Sequence, residues 1–483
     1  MFREPRIIGR IEEKQKLDRC IERNEAQLIV VSGRRRIGKT FLINQYFENR
    51  FDFKLTGEYK ASREIQLENF LLEMNRRTNT KNEAPKNWKD AFELLTNYLM
   101  SLPAEKKAVV FFDEMPWMDT QRSGFISAFE YFWNSFGSAQ NNLIFILSGS
   151  ASSWISDNIM HNKGGLFNRR TCSLQLQPFC LSETEAYLQM IGIEWSRYDI
   201  AECYMILGGI PYYLSFLNPY LSLSENIDSL FFRKSAELSD EFDCLYRTLF
   251  AGSEDYIQIV SLLSRKRSGL TLSEISEKSG MPLNGNLTKK INNLCQSGFV
   301  RANPFYNQKK RDVRYQLVDY YTLFYHRFIK EHYGKDERFW EHTYDNPSKH
   351  VWAGLTFELL CRDHIEQIRQ RLGISGVMTE LSTWYSRAEK PEEKDSGAQI
   401  DLIIDRRDHT VSLCEIKYSL NEFEIDKAYE ASLRNKIERF RQETATTKTL
   451  QLVMITTFGV KKNKYSNIVS GQATLDDLFR PVY

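Results

Sequence analysis

Leu28–Ile43 reads LIVVSGRRRIGKTFLI, a short apolar run followed by a loop of the pattern GxxxxGK[ST] and the start of a helical segment. The two glycines of this pattern let the backbone curl, so that successive N–H groups and the helix N-terminus face one bound phosphate. Lys39 then pairs with the β- and γ-phosphates, and the Thr40 hydroxyl binds Mg²⁺. The segment predicts a P-loop for Mg-ATP, made of Gly33, Arg34, Arg35, Arg36, Ile37, Gly38, Lys39 and Thr40.

Three short apolar runs, at residues 27–31, 108–112 and 143–147, have the composition of strands that are buried on both faces of a parallel sheet. Each run ends in a polar cluster, and amphipathic helical segments at 64–77 and 88–101 lie between them. In doubly wound sheets, ligands bind beyond the carboxyl ends of the strands. We therefore expect an α/β fold with one site at those ends.

The acidic pair after the second apolar run is the second candidate element of this site. Asp113 is predicted to hold Mg²⁺ directly or through water, and Glu114 to orient or deprotonate the attacking water. Ser148 and Ser150 end the third run and are candidates for contacts with the γ-phosphate or the water. The alternative is that these polar residues merely begin surface loops.

Arg169 and Arg170 follow a glycine pair and precede a predicted strand. Arg169 is a candidate arginine finger, which would neutralise transition-state charge in its own subunit or in a neighbouring one of a homo-oligomer. A solvated or ion-paired pair of arginines is the alternative.

Composition excludes several classes of protein. The 483 residues suggest about three domains, and a net charge of +2 gives no chain-wide basic surface for nucleic acid. Eight cysteines without a CxxC pair, and seven histidines without an HExxH pattern, indicate neither a disulfide framework nor a zinc site. The charged N-terminus and the absence of an apolar run of about 20 residues favour a cytoplasmic protein with no membrane partner.

Six segments together resemble the archaeal-type ATPases of the STAND branch of AAA-like P-loop proteins, over roughly residues 5–330: IIGRIEEKQKL, GRRRIGKT, FFDEMPW, LSGSASS, GGLFNRR and LGGIPYYL. The resemblance implies that Gly9 and Arg10 lie near the adenine. It also implies that Pro211, with the glycines before it, lies in a helical lid and contacts the nucleotide. From the residues alone, glycines before a proline indicate only a helix break.

Residues 178–250 are predicted to be helical, beginning with Ser182 and Glu185 as a capping box. Residues 255–317 then fit two helices and a hairpin, as in a winged helix-turn-helix, with Leu287, Ile291 and Leu294 facing its core. Such a module binds double-stranded DNA or serves as an internal hinge, and both alternatives stay open. The outward-facing candidates are Thr288, Lys289 and Asn292 on the second helix and Lys309, Lys310, Arg311 and Arg314 in the hairpin.

The C-terminal part contains an acidic helix followed by the pattern D…ExK. Glu358 lies in a predicted helix, Asp401 in a strand, and Glu415 and Lys417 at the end of the next strand. A turn centred near Asp408 pairs residues 404 with 412, 403 with 413 and 401 with 415, which makes the two strand carboxylates cross-strand neighbours. We expect Glu358, Asp401 and Glu415 to bind Mg²⁺, and Asp401, Glu415 and Lys417 to act in catalysis.

This order of elements, with a long charged helix at 422–444 and a strand after it, resembles the PD-(D/E)XK restriction-endonuclease-like fold. The sequence departs from that pattern in having Ile400, not a proline, before Asp401. An ordinary Glu-Lys pair on an exposed strand is the alternative. Residues 386–397 (SRAEKPEEKDSG) are predicted to be an exposed loop within this domain.

Four domains are expected: a P-loop ATPase core (1–177), a helical lid (178–250), a winged helix-like domain (251–345) and a nuclease-like α/β domain (346–483). Two functions fit them. In the first, ATP turnover controls an Mg²⁺-dependent deoxyribonuclease; in the second, the chain is a nucleotide-switched DNA-binding or protein-interaction regulator whose nuclease-like domain is inactive.

Overall fold

The structure, a computed structural model, describes residues 7–150, 152–160, 165–166, 169–304, 306, 313–343, 345–386 and 398–482. Two units share the chain. The N-terminal unit contains residues 1–178, 210–212 and 243–253, and the C-terminal unit contains the remainder. Each is described by itself.

A five-stranded sheet forms the centre of the N-terminal unit, with all strands parallel in the order β2-β3-β4-β1-β5. The three predicted apolar runs become β1, β3 and β4, and the predicted parallel α/β sheet is confirmed. Two shorter strands, β2 and β5, were not predicted, because neither has a solid apolar run. The strands are β1 Gln27–Ser32, β2 Phe53–Thr56, β3 Ala108–Asp113, β4 Leu143–Gly149 and β5 Cys172–Gln175.

Every residue of β1, β3 and β4 is buried, because helices pack on the sheet and exclude water. An aromatic group that includes Trp88, Phe112, Phe125 and Phe145 fills one side of the sheet, and each such side chain contributes about 1.5–3 kcal/mol through burial. The predicted helices at 64–77 and 88–101 are confirmed as α3 and α4. The helices are α1 Ile11–Glu22, α2 Lys39–Tyr46, α3 Arg63–Thr78, α4 Trp88–Met100, α5 Phe125–Ser135 and α6 Ser152–Ile155.

The region after the first sheet is helical, as predicted, but its first helix begins earlier than the capping-box pattern indicated. The N–H of Cys180 donates to Glu183 Oε2 at 3.0 Å, so Glu183 caps the helix and Ser182 lies inside its first turn. The predicted Ser182–Glu185 box is therefore wrong by two residues. The helices are α7 Leu181–Ile191, α8 Arg197–Leu207, α9 Pro211–Leu214, α10 Leu223–Phe231, α11 Glu241–Leu249, α12 Ser253–Ser264, α13 Leu272–Ser279 and α14 Gly285–Gln296.

An antiparallel hairpin of β6 (Val300–Asn303) and β7 (Arg314–Leu317) follows α14. Leu287, Ile291 and Leu294 are buried, as predicted. Arg314 is also buried and donates to the Gly269 carbonyl at 2.9 Å and to Glu274 at 3.0 Å. The expectation that Arg314 faces outward is therefore wrong. Lys309, Lys310 and Arg311 lie outside the described residues, and the winged-helix identity stays a prediction.

The last part of the C-terminal unit contains a mixed sheet in the order β12-β11-β10-β9-β8. Strands β8, β9 and β10 pair antiparallel, whereas β10, β11 and β12 pair parallel. The predicted helix around Glu358, the hairpin, the charged helix and the strand after it are all present, whereas β8 and β12 were not predicted. Residues 387–397 of the predicted loop lie outside the described residues. The elements are α15 Tyr320–Phe324, α16 Lys330–His332, α17 Phe339–His342, α18 Pro347–Asp363, α19 Ile365–Arg371, β8 Thr379–Ser386, β9 Ala398–Arg406, β10 Thr410–Lys417, α20 Lys427–Thr444, β11 Thr449–Thr456, β12 Gly471–Thr474 and α21 Leu475–Leu478.

Within the described part of the chain, no helix combines the length and the apolar character that crossing a membrane requires.

Candidate functional site

The P-loop follows β1 and leads into α2, and its backbone requires both glycines. Gly33 has φ 142°, and a Cβ there would lie 2.6 Å from the Leu176 carbonyl oxygen and 2.5 Å from Ile37 Cδ1. Gly38 has φ 87° and precedes the first residue of α2. Because side chains at these positions would collide or be strained, the GxxxxGK[ST] pattern here specifies one loop shape.

Lys39 is buried, and its ammonium group has three oxygen partners. Nζ donates to the carbonyls of Gly33 and Arg34 and to Ser150 Oγ, each at 3.0 Å. Burial lowers the Lys39 pKa, while Glu114 and Asp113 act in the opposite direction. The structure thus holds this cation at the mouth of the phosphate loop, between the loop and the end of β4.

Strand β3 ends at Asp113, which is buried next to Thr40. Thr40 Oγ1 donates to Asp113 Oδ2 at 2.7 Å. Ser148 Oγ donates to the other oxygen, Oδ1, which also accepts from the Glu114 N–H at 3.1 Å. A hydroxyl and a carboxylate placed together suit Mg²⁺, which in nucleotide sites takes one or two protein oxygens plus phosphate and water. Thr40 and Asp113 are therefore the residues that would hold it.

Glu114 has a left-handed backbone, with φ 49°, where the chain leaves β3. Its carboxylate accepts from the Ser150 N–H at 3.0 Å and from the Ser150 hydroxyl. Ser150 therefore contacts both Glu114 and Lys39, while Ser148 contacts Asp113. Both serines were candidates for contact with the nucleotide or the water, and Ser150 has the more central position.

Two other segments of the N-terminal unit reach the P-loop. Arg10, buried at the start of α1 beside Gly9, donates to the Ile37 carbonyl at 3.4 Å. The Tyr212 N–H, next to Pro211, donates to the Arg36 carbonyl at 3.3 Å, and the Arg36 guanidinium lies 4.3 Å from the centre of the Tyr212 ring. These contacts place the Gly9–Arg10 and Pro211 segments at the loop; their contact with adenine or nucleotide stays a prediction.

The remaining arginines have different surroundings. Arg34 is buried, and the Arg35 guanidinium lies 5.8 Å from the centre of the Trp117 ring. Arg169 is exposed just before β5, and its N–H donates to the Leu166 carbonyl at 3.1 Å. Its role as an arginine finger stays a prediction.

A second polar cluster lies in the C-terminal unit at the hairpin of β9 and β10. Ser412 pairs with Ile404 and Leu413 with Ile403, as predicted, and the ladder extends to Cys414 and Leu402. The predicted pairing of Asp401 with Glu415, one residue further along, stays a prediction. Asp401 Oδ2 accepts from the Ile416 N–H at 3.2 Å, and Lys417 Nζ lies 3.0 Å from Glu415 Oε1.

Three partners of these carboxylates were missed from the sequence. Arg267 Nη2, from the loop between α12 and α13, contacts Glu358 Oε1 and lies 3.4 Å from Asp401 Oδ1. Lys436 Nζ donates to the two oxygens of Glu415 at 2.9 and 2.8 Å, and the Tyr429 hydroxyl donates to Glu415 Oε1 at 3.0 Å. Tyr429 and Lys436 are seven residues apart on one face of α20, a spacing that signals a shared neighbour. Arg267 has no comparable local signal.

The pKa values of the acids in this cluster are shifted in opposite directions. Burial, then the neighbouring Asp401, raises the pKa of Glu358 to about 7, while Arg267 and Lys417 oppose the rise. Burial and Glu415 raise the pKa of Asp401. For Glu415 the effect of burial is outweighed by Lys417 and Lys436, which lower its pKa.

Across the described ranges, no group of three or more His, Cys, Asp and Glu side chains is arranged to hold a metal ion. The Glu358 and Asp401 carboxylates nevertheless converge on a single guanidinium nitrogen. Mg²⁺ often uses only one or two carboxylates and completes its shell with water and phosphate. Glu358 and Asp401 are the residues that would hold Mg²⁺ here, whereas Glu415 is held by lysines; binding of the ion by these acids stays a prediction.

Comparisons with known proteins agree with the first site. Residues 8–217 match the family described as "ATPase domain predominantly from Archaea". An uncharacterized protein of Methanocaldococcus jannaschii is 24% identical over 428 residues, which cover 88% of this chain and 90% of that protein. An uncharacterized ATP-binding protein of the same organism is 46% identical over 44 residues, 9% of this chain and 75% of that protein.

Two solved structures are also similar. A Walker-type ATPase of Pyrococcus abyssi has 18% identity and a TM-score of 0.46, covering 67% of this chain and 96% of that one. The ORC2 protein of Aeropyrum pernix has 11% identity and a TM-score of 0.43, covering 75% and 97%. The family match spans the P-loop, the Asp113–Glu114 strand end and the Pro211 segment, so residues 8–217 are similar to an ATPase domain of the archaeal type.

Proposed function

We propose that this chain hydrolyses ATP at the P-loop and that its nucleotide state controls a DNA-associated, Mg²⁺-dependent, nuclease-like C-terminal unit. The observation that carries the ATPase part is the polar network in which Thr40 contacts Asp113 while Ser150 joins Lys39 to Glu114.

In this proposal each residue of the network has one task. Lys39 leaves its carbonyl partners for the β- and γ-phosphates, and the P-loop N–H groups bind the same phosphates. Thr40 and Asp113 hold Mg²⁺, which neutralises phosphate charge when bound. Glu114 accepts a proton from the attacking water or orients it, and Ser150 keeps its carboxylate next to Lys39.

Asp113→Asn tests the ATPase assignment. The substitution keeps the shape of the side chain but removes the negative charge beside Thr40, so Mg²⁺-dependent ATP hydrolysis by the full chain should fall by about 10²-fold or more. Asp52→Asn, an acid of the same unit that bonds to the Val109 N–H outside the network, serves as the matched control. Hydrolysis at the wild-type rate in Asp113→Asn would remove the proposed role of the network.

The nuclease-like part is supported by Glu358 and Asp401, which share one guanidinium nitrogen of Arg267, and by the contact of Lys417 with Glu415. In the proposed reaction, Asp401 and Glu358 hold Mg²⁺, and Lys417 positions a water and stabilises developing phosphate charge. Glu415 accepts hydrogen bonds from Lys417 and Lys436, which keep it ionised at neutral pH.

Cleavage of duplex DNA with Mg²⁺, compared between the wild type, Asp401→Asn and Glu415→Ala, tests this part. We expect cleavage in the wild type and none in the two variants. Asp405→Asn, on the same strand but paired with Lys448, is the control. Cleavage that survives both substitutions would assign it to a contaminating nuclease.

One observation favours the second candidate, a nucleotide-switched DNA-binding or protein-interaction regulator with an idle nuclease-like unit. All three acids of the cluster contact basic side chains in the structure. DNA binding without cleavage, at a range of Mg²⁺ concentrations, would support this candidate.

We also propose a homo-oligomer, because Arg169 is exposed and so suits a finger that acts on a neighbouring subunit. A hydrolysis rate per chain that rises with protein concentration would support this proposal.

A further inference from the structure

The carboxylate cluster of the C-terminal unit is balanced by its own cations. Glu358, Asp401 and Glu415 carry three negative charges when ionised, and Arg267, Lys417 and Lys436 carry three positive ones. The two lysines both contact Glu415. Among the basic side chains in the described ranges, Arg267 is the one that contacts the other two acids, and it comes from a distant part of the sequence, the loop between α12 and α13.

Arg267 lies where a cation shared by Glu358 and Asp401 would lie. A single nitrogen, Nη2, contacts Glu358 Oε1 and is 3.4 Å from Asp401 Oδ1. The Arg267 side chain is 40% exposed, whereas that of Asp401 is 9% exposed. The guanidinium therefore covers the cluster on its solvent side, and among the three cations its side chain is the most exposed.

A cavity of about 490 Å³ adjoins this contact and has room for the displaced side chain. Arg267, Glu358 and Asp401 line one part of it, and Lys266 and Arg362 line it as well. The loop itself is fixed, because Gln316 Nε2 donates to the Arg267 carbonyl at 2.9 Å. Movement of Arg267 is thus a change of side-chain rotamer within a formed cavity.

The positive charge of the Arg267 guanidinium needs an anionic partner when the side chain moves into the cavity. A divalent ion between Glu358 and Asp401 would send the guanidinium into a cavity lined by Lys266 and Arg362. Glu274 also lines this cavity, but it is paired with Arg314, so the lining keeps an excess of positive charge. A phosphate group there would neutralise it, and guanidinium binds phosphate through paired hydrogen bonds. Metal and phosphate should consequently assist each other, since coupling between two ligands is reciprocal.

We propose that Arg267 is a positioning residue that holds the place of the divalent cation between Glu358 and Asp401, and that it exchanges these carboxylates for a phosphate of a nucleic-acid strand in the adjoining cavity. The inference rests on the proposed Mg²⁺-dependent nuclease-like function. It makes metal binding dependent on substrate, so the cluster is loaded only when a strand is present.

The test measures Mn²⁺ affinity of the full chain by calorimetry without nucleotide, for the wild type and Arg267→Gln. Binding that is lost in Asp401→Asn identifies this cluster and separates it from the P-loop. We expect Arg267→Gln to bind Mn²⁺ about tenfold more tightly than the wild type, because a competing cation is removed. The double variant Arg267→Gln, Asp401→Asn should lose this gain. Lys266→Gln, which removes a neighbouring charge from the same cavity, should show no such gain.

A second arm adds a short DNA duplex or inorganic phosphate. The duplex should tighten Mn²⁺ binding by the wild type toward the value of Arg267→Gln and should change that variant little; phosphate alone should act weakly if a strand is the ligand. Arg267→Lys, which keeps one charge but not the paired donors, should give a smaller gain and replaces Arg267→Gln if that variant does not fold.

Equal Asp401-dependent Mn²⁺ affinity in the wild type and Arg267→Gln would overturn the role of Arg267 and leave the metal site standing. Absence of any Asp401-dependent binding would overturn both. A duplex that leaves the wild-type affinity unchanged would overturn the exchange with phosphate.

Discussion

The P-loop and the carboxylate cluster both contain buried charged groups, but they hold these groups in different ways. At the P-loop, two of the three partners of Lys39 are backbone carbonyls from its own loop. At the cluster, the two oxygens of Glu415 are held by side chains from β10 and α20. The phosphate loop therefore holds Lys39 mainly through neighbouring backbone groups, whereas the cluster holds Glu415 through side chains alone.

This difference has a functional consequence. Backbone groups cannot be withdrawn without changing the loop, so the P-loop is ready for phosphate whenever Lys39 turns toward it. Side chains can exchange partners, so the cluster can be switched by replacing one cation with another. We expect substitutions at the P-loop to act on binding and rate, and substitutions at the cluster to act on stability and metal affinity.

The largest expected effect is that of Glu114→Gln at the P-loop site. The amide keeps the size of the side chain but cannot accept a proton from water, so kcat for ATP hydrolysis should fall by about 10²- to 10⁴-fold. Nucleotide affinity should stay within a few-fold of the wild type, because Lys39 and the loop are untouched. Single-turnover hydrolysis and equilibrium nucleotide binding measure the two quantities, and an unchanged kcat would show that Glu114 has no catalytic role.

Lys39→Ala should have the next largest effect, on binding. Hydrogen bonds to charged groups contribute about 1.5–3 kcal/mol, so Mg-ATP affinity should fall by about 10- to 100-fold. Lys106→Ala, whose side chain is 72% exposed, is the control for removing a lysine. If Lys39→Ala and the wild type bind nucleotide equally, the assignment of the phosphate site is wrong.

Lys436→Ala should act on stability, which is the effect expected of the cluster. It leaves the buried Glu415 with one lysine in place of two and should lower the free energy of unfolding by about 1–3 kcal/mol. Lys427→Ala, at an exposed position of the same helix, is the control. Chemical denaturation measures both.

The pH dependence of that loss follows from the Glu415 pKa, which the lysines lower below its ordinary value of 4.5. An acid with a lowered pKa stabilises the folded state above its unfolded pKa, and this contribution is lost as the pH falls through the folded pKa. The difference between the wild type and Lys436→Ala should thus be full above about pH 5 and shrink in acid. A difference that grows in acid would contradict the pairing.

The same contrast explains what the sequence could and could not predict. Gly33, Lys39 and Thr40 form one local pattern, and a solid apolar run precedes them, so loop and strand were predicted together. The hairpin register followed from the turn near Asp408, because pairing in a hairpin is fixed by its turn.

Other features depend on contacts that no local pattern reveals. Arg267 reaches Glu358 across 91 residues of sequence. Arg314 was expected at the surface of the hairpin, but it is buried and pairs with Glu274. Strands β2 and β12 are four residues long and lack the apolar runs that marked β1, β3 and β4. The capping residue of α7 was misplaced because Ser182 and Glu185 imitate the pattern that Cys180 and Glu183 fulfil.

The smallest expected effects separate the two serines at the end of β4. Ser150→Ala removes the hydroxyl that joins Lys39 to Glu114, so kcat should fall by about tenfold, the value of one lost hydrogen bond to a charged group. Ser148→Ala leaves Asp113 with its bonds from Thr40 and the Glu114 N–H, so the fall should be only a few-fold. Combined with Glu114→Gln, Ser150→Ala should have little additional effect, since the group that it positions is already disabled. A larger fall in Ser148→Ala than in Ser150→Ala would instead assign the direct phosphate or water contact to Ser148, and the P-loop site would then depend on Asp113 more than on the Lys39–Ser150–Glu114 connection.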